Sequence, residues 1–501
     1  MISVRSLPPI CVAISAADPN SLQRLAIAEC EAGAKFIELR LDLLPRPEAG
    51  LPLIKLLRER WPKLKILTTC RRKQAQGGFA GSVEEQERIL TKAAVNGAQL
   101  LDLEIETAEP APDVAERLRQ KGRVVLSFHD FEKAPSPEKV LRRLQKVPAD
   151  VYKMAVAGVK PSDSSRLLRL LGHKDGPPLV VLAMGEVGAA SRILSPSRGA
   201  VFTFAAPNTA PGTAPGQYSA AVMQGLYRVD KLTQDTRIFG VIASPVAHSM
   251  SPVLHNRALR QSGIDGVYLP FRVEPERLGD FFRFADELPV EGFSVTLPHK
   301  EKVLRHLAGS DKLALQIGAV NTVFRKGKHW WGMNTDAIGV TAPLEQLRRL
   351  KGATALVVGT GGAARAAVFA LKAKGSRVAV TGRRIEKVRG RARATGAEGL
   401  GWDAALQRGF DILVQSTPVG MAPNVEENLF PDRIPAEIVF DMVYNPLRTS
   451  LIKRAQEQGK TVVLGLEMFI EQAAAQFELW TKLPAPRAVM RNAVLDVLQG
   501  V

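Results

Sequence analysis

A lysine, a histidine and a glutamate in the first half of the chain have the chemistry needed to act on a carbonyl group. Lys153 lies inside the apolar run Val151–Ala155, and Glu38 and His129 lie within or just after two other such runs. An amine buried among apolar residues is costly to keep charged, which lowers its pKa. A neutral amine can form a Schiff base with a ketone, with histidine as general acid/base and a carboxylate to orient the imidazole.

Arginines accompany these residues and suit an acidic substrate. Arg40 lies two residues after Glu38, and Arg71 and Arg72 follow another apolar run. Arginine binds carboxylates through paired hydrogen bonds. Taken singly, each residue is more typical of a solvated or structural position, and Glu38, Arg40 and Asp42 could form an ion-pair ladder. Their recurrence at matching positions of a repeated pattern favours a site.

The elements that must position these side chains follow a regular alternation of strands and helices. Segments with helical spacing separate eight apolar runs, namely Ile10–Ser15, Phe36–Leu41, Ile66–Cys70, Leu100–Ile105, Val124–Phe128, Val151–Ala155, Leu179–Met184 and Val201–Phe204. Eight such units in roughly 220 residues predict a closed (β/α)8 barrel, with functional residues where strands end. An open doubly wound sheet is the alternative, because periodicity does not prove closure. The Pro/Gly/Thr-rich segment 207–216 is expected to be a loop at the mouth of the barrel.

The second half contains a strand, a glycine-rich turn, a helix and a second strand. The two strands are Ala353–Gly359 and Arg377–Thr381, and the helix is Ala366–Lys374. Glycines let the backbone approach a pyrophosphate closely, and the helix N-terminus attracts it. The turn that would hold the pyrophosphate comprises Gly359, Gly361, Gly362 and Ala363.

The residues after the second of these strands favour NADP over NAD. An NAD enzyme would place an acidic residue there, whereas this chain has Arg383 and Arg384, which suit a 2′-phosphate. The alternative is a solvated basic helix face.

Upstream, Lys300 and Asp336 could form a proton-transfer pair beside a group that exchanges hydride with nicotinamide.

Composition is that of a cytoplasmic multidomain protein. The 501 residues are 46% hydrophobic and 24% charged, with a net charge of +18 that favours phosphorylated cofactors, small carboxylates or polyanions. Three cysteines imply no disulfide framework, and no motif predicts a metal. No signal peptide or membrane span is expected. Nucleic-acid binding has only the net charge in its favour, because no recognition motif is present.

Five motifs in the first half resemble those of type I 3-dehydroquinate dehydratase. They are Glu38-Leu-Arg40-Leu-Asp42, Ser127-Phe-His129-Asp130, Val151-Tyr-Lys153-Met-Ala, Ser191-Arg192 and Ala214-Pro215-Gly216-Gln217, within roughly Pro8–Gly225. The resemblance implies that Lys153 forms the Schiff base, His129 is the general acid/base and Glu38 orients it. It also implies that the substrate is held by Arg40, one of Arg71 and Arg72, Arg192, Thr213 and Gln217. One departure is Gln76, where the family usually has a glutamate before two glycines.

The remainder, about Arg237–Leu498, resembles shikimate dehydrogenase. The matching strings include those around Ser249, Thr296, Asn321, Asp336 and Gly359. The resemblance implies Lys300 and Asp336 as the catalytic pair, with substrate contacts from Ser249, Ser251, Thr296, Asn321, Tyr444 and Gln472. The predicted cofactor-binding residues are Gly359, Gly361, Gly362, Ala363, Arg383, Arg384, Thr417 and Gly465. The departures are Ser294 and Gln415, where asparagine is usual, and Gly382, where the cofactor motif begins with asparagine.

The two resemblances in this order predict a bifunctional fusion with an α/β fold throughout. We expect a barrel over 1–227, a linker over 228–236, a substrate lobe over 237–345 completed by helices in 465–501, and a Rossmann NADP lobe over 346–464. The expected reactions convert 3-dehydroquinate to 3-dehydroshikimate and then, with NADPH, to shikimate. Two alternatives are a second half that acts on quinate and a metabolite sensor that has lost catalysis, although a sensor should lack the proton-transfer residues. The oligomeric state stays open.

Overall fold

The structure is a computed structural model that describes residues 3–172 and 176–499. The first two residues of the predicted barrel range and the last two of the predicted helical range lie outside the described residues. The chain separates into two compact units. One comprises Met1–Ile238 with Asp265–Pro289, and the other Phe239–Ile264 with Val290–Val501.

Eight parallel strands of the first unit form a nearly closed barrel, which confirms the predicted architecture. They are β1 Ile10–Ile14, β2 Phe36–Arg40, β3 Lys65–Thr69, β4 Leu100–Glu104, β5 Arg123–Asp130, β6 Val151–Ala157, β7 Leu179–Met184 and β8 Thr203–Ala205. The sheet order is β7-β6-β5-β4-β3-β2-β1-β8. Where β7 and β8 meet, the Val201 amide donates to the Leu179 carbonyl at 2.8 Å.

Helices connect these strands, as the alternating pattern predicts. They are α1 Pro19–Glu31, α2 Leu51–Arg60, α3 Val83–Val95, α4 Ile105–Ala108, α5 Pro112–Arg119, α6 Pro137–Leu144, α7 Pro161–Leu168 and α8 Ala189–Leu194. Local sequence fixes some of their starts: Ser82 and Glu85 form a capping box at α3, and the Asp18 side chain caps α1.

Along the barrel strands, one layer of inward-facing apolar side chains is followed directly by a layer of polar ones. Phe36, Leu67, Leu100, Val125 and Val151 belong to one buried cluster inside the barrel. Residues two positions apart on a strand share a face. The next inward layer therefore consists of polar side chains, namely Glu38, Thr69, Asp102, Ser127 and Lys153.

Most predicted strand boundaries of the barrel differ from the observed ones by one or two residues. The fifth strand continues to Asp130, because His129 pairs with Ala155 of β6, so His129 lies within the strand rather than after it. The eighth strand begins at Thr203 instead of Val201.

A six-stranded mixed sheet follows the irregular segment 228–236. Its strands are β9 Arg237–Ala243, β10 Gly266–Arg272, β11 Val290–Val295, β12 Gly309–Ser310, β13 Thr322–Lys326 and β14 His329–Met333, in the order β10-β9-β11-β13-β14-β12. The accompanying helices are α9 Ser251–Gln261, α10 Leu278–Glu287, α11 Lys312–Ile317 and α12 Asp336–Glu345.

The third sheet is parallel and doubly wound. Its strands are β15 Thr354–Val358, β16 Arg377–Thr381, β17 Glu398–Gly399, β18 Phe410–Gln415, β19 Ala436–Asp441 and β20 Thr461–Val463, in the order β17-β16-β15-β18-β19-β20. Its helices are α13 Gly362–Ala373, α14 Ile385–Thr395, α15 Trp402–Gln407 and α16 Ser450–Glu457, and α17 Gly465–Thr481 and α18 Arg487–Gln499 follow. The strand order reverses at β15, which is where open α/β sheets bind ligands.

The C-terminal helices return to the earlier part of the second unit. Helix α17 packs against α12, and α18 packs against α9. Within 3–172 and 176–499, no helix combines the length and the apolar character needed to cross a membrane.

Candidate active sites

The polar layer of the barrel opens into a cavity of about 380 Å³. Eight residues predicted from the sequence line it: Glu38, Arg40, Arg71, His129, Lys153, Arg192, Thr213 and Gln217. They come from different strands and loops, and the barrel brings them together because the carboxyl ends of its strands meet at one face.

Lys153 is almost completely buried at the centre of this group, with 4% of its surface exposed. Its Nζ donates to Oδ2 of Asp102 at 3.1 Å and lies 4.0 Å from Oε1 of Glu38. The Phe204 ring lies 4.3 Å from the same nitrogen. The amine is therefore held at a fixed position on the cavity wall.

Asp102, the nearest partner of Lys153, was not among the predicted residues. Its carboxylate is fully buried, accepts from Ser127 Oγ at 2.8 Å and lies 3.5 Å from Arg71. Burial alone would raise the pKa of Asp102, but the charges of Lys153 and Arg71 and the Ser127 hydrogen bond bring the pKa below its ordinary value. The alternation Leu100, Asp102 in the predicted strand was a signal that could have found it.

His129 lines the cavity and can act as a base there, but Glu38 does not orient its imidazole. Burial, and then the charges of Arg71, Lys153 and Arg40, hold the pKa of His129 well below its ordinary value, so the imidazole is neutral. Its Nδ1 is buried without a hydrogen-bond partner in the described part of the chain. The predicted Glu38–His129 contact is absent, because Oε1 of Glu38 instead accepts from Thr69 at 2.6 Å.

The arginines of the cavity differ in how they are paired. Arg40 donates to both oxygens of Asp42, at 2.9 and 2.8 Å. Arg192 is fully buried, and its Nε and Nη1 have no partner among the described residues. Burial lowers the pKa of Arg192 to about 10, so the guanidinium keeps its charge at neutral pH. A buried cation with free donors facing a cavity suits a carboxylate.

The structure resolves the choice between Arg71 and Arg72. Arg71 lines the cavity, whereas the Arg72 guanidinium turns away toward the Gly81 carbonyl and Thr107. Neighbouring residues on an extended chain face opposite sides, so only one of the two can reach the interior.

Gln76, the departure from the dehydratase pattern, lies in an exposed turn with a φ of 61° and is not part of the cavity wall. The glycine that follows it has a packing role. A Cβ at Gly77 would lie 2.2 Å from the Arg71 carbonyl oxygen. The turn therefore presses against the backbone that carries Arg71.

A second cavity, of about 1150 Å³, lies in the second unit. The predicted residues that line it are Ser249, Ser251, Thr296, Lys300, Asn321, Asp336, Ala363, Tyr444, Gly465 and Gln472. Four loop segments, the starts of α9, α12, α13 and α17 and, for Gln472, the middle of α17 supply them. Sequence reasoning missed Gln476 in the same wall, although it follows Gln472 by one helical turn.

Lys300 and Asp336 form the pair that the sequence suggested. Nζ of Lys300 donates to Oδ2 of Asp336 at 2.6 Å, and Nδ2 of Asn321 donates to Oδ1 at 2.7 Å. Asn321 is itself fixed, since its Oδ1 accepts from the Thr335 amide at 2.7 Å. Asp336 begins α12, so both carboxylate oxygens are held at a helix N-terminus next to the cavity.

Ser294, the departure from the usual asparagine, has its own partner. Its hydroxyl donates to Oε1 of Gln476 at 2.7 Å, and Nε2 of Gln476 donates to Oε1 of Gln472 at 3.0 Å. The serine therefore lines the cavity itself and is also linked to Gln472 through Gln476.

A cleft of about 870 Å³ adjoins the glycine turn and is lined by Thr360, Gly361, Arg384, Lys387, Gly390 and Arg391. Arg391 donates to the Thr360 carbonyl from Nε at 3.1 Å and from Nη2 at 2.6 Å. Added Cβ atoms at Gly361 and Gly362 would meet nothing within 4 Å. An open glycine turn at the start of α13, beside three cations, fits a dinucleotide with a 2′-phosphate.

Six of the eight predicted cofactor residues do not line this cleft, and two of these six, Ala363 and Gly465, line the second cavity instead. Arg383 is exposed, and Gly359 and Gly362 form the turn itself, with φ of 126° at Gly359. Thr417 packs behind that turn, where its methyl group would lie 3.3 Å from a Cβ at Gly359. Gln415, another departure, donates to the Thr417 and Val419 carbonyls at 3.0 and 3.1 Å and so stabilises the loop behind the glycine turn.

Family models match stretches of both halves of the chain. The type I 3-dehydroquinase model matches residues 10–234, the shikimate dehydrogenase substrate binding domain matches 241–323, and the shikimate 5'-dehydrogenase C-terminal domain matches 465–495.

Individual proteins show the same arrangement. The chain is 34% identical over 507 residues to the chloroplastic bifunctional 3-dehydroquinate dehydratase/shikimate dehydrogenase of Arabidopsis thaliana, with 95% of this chain and 83% of that protein covered. It is 41% identical to a shikimate dehydrogenase (NADP(+)) of Methanopyrus kandleri, over 53% of this chain and 97% of that protein. A crystal structure of shikimate dehydrogenase in complex with NADP+ matches with a TM-score of 0.51 and 36% identity, over 53% of this chain and 97% of that one. The chain belongs to the family of bifunctional 3-dehydroquinate dehydratase/shikimate dehydrogenases.

Proposed function

We propose that the chain catalyses two consecutive reactions. The barrel dehydrates 3-dehydroquinate to 3-dehydroshikimate, and the second half reduces that product to shikimate with NADPH. The observation that carries the first reaction is a buried primary amine, Lys153, in the same small cavity as the Arg192 guanidinium, whose Nε and Nη1 have no partner among the described residues. The amine provides the nucleophile and the guanidinium provides the counter-charge for a carboxylate substrate.

In the barrel, Arg192 binds the carboxylate and thereby brings the ketone to Lys153. The amine and the ketone form an imine with loss of water. The neutral imidazole of His129 then takes the C2 proton, and the resulting enamine expels the hydroxyl group from C1. His129 returns the proton to that hydroxyl as it leaves, and hydrolysis of the imine frees Lys153.

In the second half, Ser249, Ser251 and Gln472 bind the substrate hydroxyls. NADPH, when bound, supplies the hydride for the carbonyl carbon. Lys300 delivers a proton to the carbonyl oxygen as the negative charge develops there. Asp336 holds the Lys300 ammonium in position through the 2.6 Å hydrogen bond.

Recognition of the cofactor falls to the cleft beside the glycine turn. The start of α13 would hold the pyrophosphate, and Arg384 and Lys387 would bind the 2′-phosphate of NADP. Arg391 supports the turn through the Thr360 carbonyl. Anionic substrates and cofactor agree with the net charge of +18. The cytoplasmic location stays a prediction, and the Arabidopsis relative is named chloroplastic.

A coupled assay and a trapping experiment test the two reactions. Purified protein with 3-dehydroquinate and NADPH should consume NADPH, and with 3-dehydroshikimate the second step should be seen alone. Borohydride added with 3-dehydroshikimate, without NADPH, should attach the ligand to Lys153, as measured by peptide mass spectrometry. A tag on another residue, or none, would refute the barrel mechanism. Inertness toward 3-dehydroshikimate and NADPH would refute the reduction.

A further inference from the structure

We propose that Asp102 is a catalytic counter-ion that stays paired with the Lys153 nitrogen while the nitrogen is an ammonium and while it is an iminium. This inference rests on the proposed Schiff-base function of the barrel. It starts from a contact: Oδ2 of Asp102 lies 3.1 Å from Nζ, the atom that bonds to substrate. Asp102 is fully buried, and Ser127 and Arg71 bind its other oxygen, so the carboxylate is fixed in place.

The charge on the nitrogen explains why a fixed anion is useful. Overall, a lysine ammonium and a ketone give a protonated imine and one water. The nitrogen passes one proton toward the ketone oxygen so that the neutral amine can attack, and it is positive again in the imine. Loss of the C2 proton to His129 moves an electron pair toward the nitrogen and makes it neutral. Departure of the C1 hydroxyl as water, with that proton, restores the iminium. The protonated imine is the electron sink in this sequence, and an unprotonated imine is a much weaker one.

The other charges around Lys153 make a counter-ion necessary. The groups that face its nitrogen or line the cavity from the surrounding elements are Glu38 and Arg40 on β2, Arg71 after β3, Asp102 on β4, His129 on β5 and Arg192 on α8. Three of these are arginines, and His129 is neutral. Of the three arginines, only Arg40 is paired with a carboxylate that is not itself close to Lys153, namely Asp42.

Of the two carboxylates near the nitrogen, Asp102 has the better geometry. Glu38 is 4.0 Å from Nζ and accepts a 2.6 Å hydrogen bond from Thr69. Asp102 is almost 1 Å closer and makes a direct hydrogen bond. The strand register agrees with this choice. Ser127 on β5 is the register partner of Lys153 on β6 and donates a hydrogen bond to Asp102 on β4, so it connects the two residues.

The matched variants are Asp102→Asn and Glu104→Gln. Each replaces a buried carboxylate of β4 with an amide of the same shape. The Glu104 carboxylate bonds to Gln86 and Thr107 instead of Lys153, and is therefore the control. Both proteins are assayed for dehydration across a pH series, and their reduction of 3-dehydroshikimate is measured on the same samples to confirm that the second site is intact.

Asp102→Asn should lower the kcat for dehydration about 100-fold, the loss typical of removing one preorganised charge-stabilising group. Its rate should also begin to fall with rising pH at a lower pH than in the unchanged protein, because the imine gives up its proton more easily. Glu104→Gln should keep the unchanged pH profile. A normal kcat, or a lower kcat with an unshifted profile, in Asp102→Asn overturns the proposal and assigns Asp102 a structural role.

A measurement on the unchanged protein covers the case in which Asp102→Asn does not fold. With lysine labelled by ¹⁵N, the imine formed with 3-dehydroshikimate should keep its proton well above neutral pH. An imine nitrogen that deprotonates near neutrality overturns the proposal. Failure of the proposed function is seen separately, since the unchanged protein would then show no borohydride-trapped adduct at Lys153 at all.

Discussion

Replacing Arg192 with methionine should weaken substrate binding in the barrel and, at the same time, stabilise the empty barrel. The guanidinium is fully buried, and its Nε and Nη1 have no partner among the described residues. Burial lowers its pKa from the ordinary arginine value to about 10, which corresponds to a cost of roughly 3 kcal/mol for carrying the charge in the folded state. Methionine has a similar length and no charge to desolvate, so Arg192→Met should gain about 2 kcal/mol of unfolding free energy.

The same change removes the group proposed to bind the carboxylate. A hydrogen bond to a charged partner contributes about 1.5–3 kcal/mol, so losing the guanidinium should raise the KM for 3-dehydroquinate roughly 100-fold. Arg192→Lys is the control, because it keeps a charge but lacks the paired donors. It should lose affinity without the gain in stability.

Two measurements on one set of samples test this reasoning. Dehydration is followed by product absorbance, and barrel stability is followed by hydrogen exchange of β6 and β7 peptides during a urea titration. A higher KM together with a more stable barrel is the expected result. If Arg192→Met is less stable than the unchanged protein, the hydrogen bond from Nη2 to the Pro215 carbonyl at 3.4 Å outweighs the cost of burying the charge, and the predicted gain is wrong.

Three further changes address the second unit. Lys300→Ala should abolish reduction of 3-dehydroshikimate while dehydration continues at its normal rate, as seen in separate assays; loss of both activities would contradict two independent sites. Arg384→Ala combined with Lys387→Ala should raise the KM for NADPH by a factor on the order of 10–100 and leave the KM for NADH nearly unchanged, because only NADPH carries the 2′-phosphate. Burial lowers the pKa of His255 to about 3. As the pH falls below about 6.5, His255 takes up a proton in the unfolded chain but not in the folded one. The free energy of unfolding therefore decreases by about 1.4 kcal/mol for each pH unit of acidification between these two pKa values. His255→Phe should flatten that dependence in urea titrations near pH 7 and pH 5, and an equally steep dependence would count against this assignment.

Much of the barrel site could be predicted because strand periodicity fixes which side chains share a face. The spacing of Glu38 and Arg40 and the position of Lys153 inside an apolar run were sufficient to place all three at one cavity. The choice between Arg71 and Arg72 was beyond this reasoning, because an error of one residue in register reverses every side chain of a strand.

Contacts that depend on distances between strands were also out of reach. A Glu38–His129 contact was chemically reasonable to predict, but the Glu38 carboxylate accepts a hydrogen bond from Thr69 on the adjacent strand instead. The alternation along the fourth strand could have placed Asp102 inside the barrel, but nothing in that segment shows that Lys153, 51 positions later, lies 3.1 Å away.

The hydrogen bond between Ser294 and Gln476 has a consequence for how this chain can diverge from its relatives. An asparagine at position 294 is longer than serine and would run into the Gln476 amide, which already contacts the serine hydroxyl at 2.7 Å. If Gln476 is first replaced by a smaller residue, there is room for asparagine at position 294. If Ser294 is replaced first, the single variant has two side chains that overlap. Divergence at this pair of positions therefore has a favoured mutational order, and the effect of either substitution depends on the residue at the other position.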